Sequence, residues 1–165
     1  MRFDMLETIR MWHTPYIGAY LLWRFATGFA SASSGRAAPI MLFFIVAALV
    51  TDKTYYEPVW KRNFRTYHRY FVENKKLSAL AALQGAINAK RAYTCAAIER
   101  AVFGGFLVWD KEAGTLSARR IKLERKAKLL DEETTKAGFA AEKIGEWFAG
   151  ETPSDICVLL GVRLT

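Results

Sequence analysis

From Thr14 the apolar positions of TPYIGAYLLWRFATGFA run around most of a helical circumference, with Ile17, Tyr20, Leu21 and Trp23 interrupted only by Arg24. Thr14 suits the N-cap, and Pro15 suits the first turn, where its missing N–H costs little. A helix apolar on so many sides is buried or lies in an interface. Ser31 to Arg36, SASSGR, is a break of small polar residues. After it Ala37 to Val50, AAPIMLFFIVAALV, is an uncharged run of 14 residues that predicts a second helix, started by Pro39.

Between Tyr55 and Lys76 rings and bases alternate. Trp60, Phe64, Tyr67 and Phe71 fall at i, i+4, i+7 and i+11, one stripe of a helix, and Lys61, Arg62, Arg65 and Arg69 fall largely off it. Such a pattern is either a core face with a solvated opposite side or a nucleic-acid surface with rings for stacking. Ser78 to Lys90 is Ala-rich and helical, Thr94 caps a further helix to about Val102, and Gly104 and Gly105 stop it. FLVWD and TLSARR then flank a turn ending in Gly114, which predicts a hairpin. Two helices followed at once by a hairpin is the order of a winged helix-turn-helix. The fold class predicted is therefore mainly α with one β-hairpin, a helical domain with a winged helix-turn-helix-like portion.

Six bases lie between Arg119 and Lys128, against the single acid Glu124. Asp131, Glu132 and Glu133 follow, where a helix N-terminus favours negative charge. Phe139, Ala140, Ile144, Trp147 and Phe148 continue that helix, and Gly150 and Pro153 close it. Ser154 is then expected to cap a last short helix with Ile156, Val158, Leu159 and Leu160 in the core.

With 165 residues the chain suits one domain, 1–165, read as a helical lobe over 1–76 and a winged-helix-like lobe over 77–165. A composition 52% hydrophobic and 14% aromatic excludes disorder, and a domain this small has too little interior for every ring, so part of that surface is expected at an interface. The net charge of +8 points to phosphate-rich or acidic partners without choosing among them. Cys95 and Cys157, about sixty positions apart, read as two buried thiols in a reducing cytoplasm rather than a disulfide framework. The first residues are mixed in charge, which does not read as a signal peptide. The 14-residue run is short of the roughly 20 that a membrane span needs, and Arg36 and Asp52 bound it, so it reads as a core helix and no membrane is expected.

Catalytic chemistry finds no motif. His13 and His68 stand in no metal spacing, and CxxC, HxxxH and HExxH do not occur. Neither GxxxxGK[ST] nor GxGxxG is present, and there is no GxSxG elbow. The chain is accordingly read as non-enzymatic, with no cofactor and no metal.

Several segments, in order, resemble one family: HTPYIGAYLLWRFATGF, APIMLFFIVAALV, RAYTCAAIERAVFGGFLVWD, IGEWFAG and ICVLLGVRLT. Over nearly its whole length the chain is similar to the middle component of three-component ABC (ABC-3C) systems, and it resembles the small subunit of Lamassu-type, SMC-like defence complexes. SASSGR and the Tyr55 to Tyr70 stretch match no motif of that family. The resemblance implies an adaptor without catalytic residues, whose partners are an SMC-like ABC ATPase and an effector, often a nuclease, in a system acting against plasmids or phage.

On this reading Trp23, Phe25, Trp60 and Phe64 are the expected interface anchors, since large rings carry a disproportionate share of interface energy. Arg119, Arg120, Lys122, Arg125 and Lys126, at the foot of the wing, are the expected contacts to double-stranded DNA or to an acidic partner. The alternatives are a free-standing winged-helix DNA-binding regulator and a small membrane-associated protein.

Overall fold

Thr14 sits in extended backbone and Pro15 takes the first helical position, so helix α1 (Pro15–Ala32) begins where the sequence predicts. The computed structural model of the chain describes residues 14–121 and 131–164. Ser34 and Gly35, at φ of 57° and 88°, turn the chain out of α1. A short strand, β1 (Ala38–Pro39), leads into α2 (Ile40–Val50). The remaining elements are α3 (Lys53–Tyr56), a 3-10 turn (Glu57–Val59), α4 (Phe64–Glu73), α5 (Leu77–Ala89), α6 (Arg91–Phe103), β2 (Leu107–Asp110), β3 (Thr115–Ala118), α7 (Glu132–Ala149) and α8 (Pro153–Leu160).

The protein is mainly helical, with a small antiparallel sheet in the order β1-β3-β2. The predicted hairpin is present, with Trp109 opposite Leu116 and Gly114 at φ 66° closing the turn. The sequence reading lacked the third strand, in which Ala38 pairs with Leu116 and Pro39 with Thr115. Two residues with no periodicity of their own, one a proline without an N–H, leave no strand signal.

Helix α1 is apolar on most sides because it is covered on most sides: it packs along α7, α6 and β3. Its closest approach is to α7, where a Cβ on Gly28 would collide with the Glu142 carbonyl and one on Gly145 with the Phe25 carbonyl. Both positions therefore require glycine for the two backbones to touch. Helix α2 is buried from Ile45 through Val50, as expected of a core helix. Among the described residues no helix is long and apolar enough to cross a membrane.

A chain of rings crosses the core. Phe25 meets Phe43 edge-on at 5.0 Å and Phe148 at 5.9 Å; Phe148 meets Phe64 at 5.4 Å; Trp147 lies 5.3 Å from Tyr67, which meets Phe71 at 5.1 Å. One buried cluster thus draws on both 14–76 and 77–164, and the division at residue 76 falls just before α5.

Several local expectations are corrected. Trp60 is off the α4 stripe, because Lys61 is left-handed at φ 57° and Asn63 caps the helix after it. Thr94 is a buried residue inside α6 whose hydroxyl donates to the Lys90 carbonyl, not an N-cap. Thr152, not Ser154, caps α8, its hydroxyl accepting from Asp155 N–H at 3.1 Å. Val158 is 81% exposed rather than core. Cys95 is exposed, and neither it nor Cys157 is in a disulfide.

Candidate partner-binding surface

After Tyr56 the chain cannot continue as α-helix, because Pro58 supplies no N–H, and the 3-10 turn carries it across the first turns of α7. Between this turn and α7 opens a groove of about 1030 Å³, floored by Val59, Trp60, Phe139 and Ala140 and edged by Lys61, Lys136 and Lys143 with Glu57, Glu142 and Glu146. Trp60 is 69% exposed and Phe139 57%. Two large rings held half out of water in one concavity form an apolar patch with a charged rim, the anatomy of a docking site.

The walls are fixed by polar contacts. Arg24 reaches out of α1 to pair with Glu142 at 2.8 Å, and its guanidinium lies 5.1 Å over the Phe139 ring. Arg24 therefore packs on the Phe139 ring while Glu142 holds its charge. At the other end the Tyr56 hydroxyl donates to Glu133 Oε2 at 2.6 Å, and Lys53 and Lys136 approach the same carboxylate at 3.8 and 3.7 Å. The Tyr56 hydrogen bond, with help from both lysines, holds the Glu133 carboxyl below its ordinary range. Burial, and then that bond, push the Tyr56 hydroxyl up. Asp131 caps α7 by accepting from Thr134 N–H at 2.6 Å, so the helix N-terminus that bears Glu133 is itself pinned.

Of the four expected anchors, only Trp60 presents its ring to solvent. Phe25 is fully buried, Trp23 and Phe64 are 6% and 5% exposed, and each has a task inside the fold. Trp23 donates its indole N–H to the Arg119 carbonyl at 2.9 Å and meets Phe106 edge-on at 6.1 Å, fastening the hairpin to α1. Phe64 stacks on Trp147 at 5.9 Å. Phe139 was missed as a site residue. The core stripe of α7 runs through Ala137, Ala140, Ala141, Ile144 and Phe148, and Phe139 is off it, which was the available signal.

Arg119 and Arg120 are exposed where β3 ends. Arg119 N–H donates to the Phe106 carbonyl at 2.9 Å and its own carbonyl accepts from Trp23, so the backbone is fixed while the side chain is free to reach outward. Lys122, Arg125 and Lys126 lie outside the described residues. Of the two histidines only His68 is described, and among the described residues no group of three or more His, Cys, Asp or Glu is placed to hold a metal ion.

The family of the ABC-three component (ABC-3C) system Middle Component 3 matches residues 4–164, essentially the whole chain. The chain belongs to that family. No curated protein and no solved structure matches it. As a middle component it works alongside an ABC ATPase and the other component of such a system. The groove and the hairpin foot are two surfaces on which the described residues of this middle component offer side chains to solvent.

Proposed function

We propose that this middle component is a non-catalytic, cytoplasmic adaptor that bridges an SMC-like ABC ATPase and an effector, a nuclease, in a bacterial defence complex against plasmids or phage. The observation that carries the reading is the Trp60 and Phe139 groove. A chain that buries Phe25, Phe43, Tyr67, Phe71 and Phe148 almost completely leaves these two rings more than half exposed in one concavity. Membership of a three-component family supplies the partner class, and the groove supplies the place. The ATPase is assigned to the groove. Arg119 and Arg120, with Lys122, Arg125 and Lys126 beyond them, are assigned to double-stranded DNA or to an acidic face of the effector.

Co-expression with the products of the flanking genes tests the bridge. The adaptor is expected to co-purify with ATPase and effector together; an ATPase–effector complex that assembles without it contradicts the reading. In that complex the pair Arg119→Glu and Arg125→Glu separates the assignments of the basic face. Loss of DNA binding from an intact complex assigns it to DNA, and dissociation assigns it to protein.

A second reading, a free-standing winged-helix regulator, is favoured by the strand order β1-β3-β2. A short strand after the first helix that pairs with the second hairpin strand is how winged-helix domains complete their sheet, here with α2, α3 and α4 inserted before the helix pair. That reading requires the isolated chain to bind duplex DNA by its hairpin with an affinity that falls steeply with salt.

A further inference from the structure

Adjoining the groove, and sharing Glu57 and Arg62 with it, lies a second concavity of about 540 Å³, lined also by Lys53, Thr54, Tyr70 and Lys76. Its centre is the Tyr70 ring. The Arg62 guanidinium lies 4.6 Å from the ring centroid and the Lys76 ammonium 5.3 Å, with Lys76 Nζ also donating to the Tyr70 hydroxyl at 3.0 Å. The ring is thus occupied by cations and is not open for a base to stack. What it does is hold two positive side chains at one opening.

The backbone is arranged to the same end. Three residues other than glycine have positive φ among the described residues, and two of them, Lys61 at 57° and Lys75 at 54°, immediately precede Arg62 and Lys76. Lys75 is the left-handed residue that ends α4, where Lys76 N–H donates to the Phe71 carbonyl at 2.9 Å. Both left-handed residues are followed directly by a cation that reaches the Tyr70 ring.

The charge is also uncompensated. The one carboxylate in the concavity, Glu57, is 3.8 Å from Lys53, and no described acid forms an ion pair with Arg62 or Lys76. Arg65 and Arg69, exposed on the solvent side of α4, likewise form no ion pair among the described residues. A single small anion would need only the concavity; Arg65 and Arg69, exposed elsewhere on α4, would be reached together with it only by a ligand that carries phosphates in series.

We propose that the Tyr70 concavity, continued by Arg65 and Arg69, is a phosphate-binding site for the backbone of a nucleic acid, separate from the hairpin foot. Arg62 and Lys76 take one backbone phosphate, and Arg65 and Arg69 its neighbours. Contact is to phosphate alone, so the site is indifferent to base sequence.

The test is fluorescence anisotropy of a labelled duplex of about 20 base pairs with the full-length chain over a range of salt. The variant Arg62→Gln/Lys76→Gln should bind about tenfold more weakly, with the slope of log K against log salt reduced by about 1. Because Arg62 also donates to the Pro58 carbonyl at 2.9 Å, Lys76→Gln alone, whose side chain bonds to no backbone atom, is the second variant, with an expected loss of about threefold and a slope change smaller than that of the double variant. Arg100→Gln/Arg163→Gln, an equal change of charge elsewhere, should stay within twofold. Unchanged duplex affinity in both site variants overturns the proposal, and so does an equal loss in the Arg100/Arg163 control. Calorimetric titration with inorganic pyrophosphate separates the sources. Pyrophosphate binding that depends on Lys76, with no such dependence for duplex, marks a small-anion pocket and overturns the nucleic-acid assignment.

Discussion

Tyr56 and Glu133 meet where the 3-10 turn crosses the start of α7, and each ties the other to one protonation state. The bond needs a protonated hydroxyl and an ionised carboxylate. Glu133, lowered from an ordinary value of 4.5, contributes stability that is complete above that value and is lost as pH falls through its folded one. Tyr56, raised from 10.0, contributes stability that is complete below that value and is lost as pH rises through its folded one. Tyr56→Phe is therefore expected to cost about 1 kcal/mol at neutral pH in urea unfolding, with the difference from wild type closing at both pH extremes. A constant difference across pH would show that the bond is not the source. Gly145→Ala is a harsher change, since the added methyl meets backbone that cannot swing aside. It should cost about 2–3 kcal/mol, read as a lowered melting temperature. At this scale the sequence was a partial guide. Trp60 looked like a core ring because it stands four residues before Phe64, and periodicity alone cannot see that Lys61 reverses the backbone between them.

Helix starts depend on short polar side chains, and the strongest example lies beside the groove. Asn63 accepts from Thr66 N–H at 2.9 Å while Thr66 Oγ1 accepts from Asn63 N–H at 2.9 Å, a reciprocal capping box. Asn63→Ala should lower stability by about 1 kcal/mol and fray the start of α4. The hairpin is tied to α1 by the Trp23 indole. Trp23→Phe keeps most of the buried ring but leaves the Arg119 carbonyl without its donor, so amide exchange along β3 should quicken while that in α2 does not. Elements with strong local signals were legible beforehand: α1 from Thr14 and Pro15, the end of α6 from its glycines, the hairpin from its alternation and Gly114. The start of α6 was not. Thr94 has the chemistry of a cap but spends it on the Lys90 carbonyl, one turn inside a helix that tertiary packing begins earlier.

At the scale of the whole molecule the aromatic side chains of the described residues divide into two populations. The larger one is buried and includes three of the four rings expected at an interface: Phe25 and Phe64 stand in the relay from Phe25 through Phe148 to Phe71, and Trp23 packs on Phe106. Composition revealed the excess of rings but not which would remain outside, because that depends on how α1 and α7 come together over their paired glycines. The smaller population includes Trp60 and Phe139, whose removal should cost the free chain little, since neither completes the core. The most direct measurement is the affinity of the partner ABC ATPase for the full-length chain and for Trp60→Ala/Phe139→Ala, by titration calorimetry, with melting temperatures recorded for both. A groove that anchors the ATPase predicts at least a tenfold loss of affinity, about 1.4 kcal/mol or more, with the melting temperature nearly unchanged. An affinity within twofold of wild type for the folded double variant would contradict it.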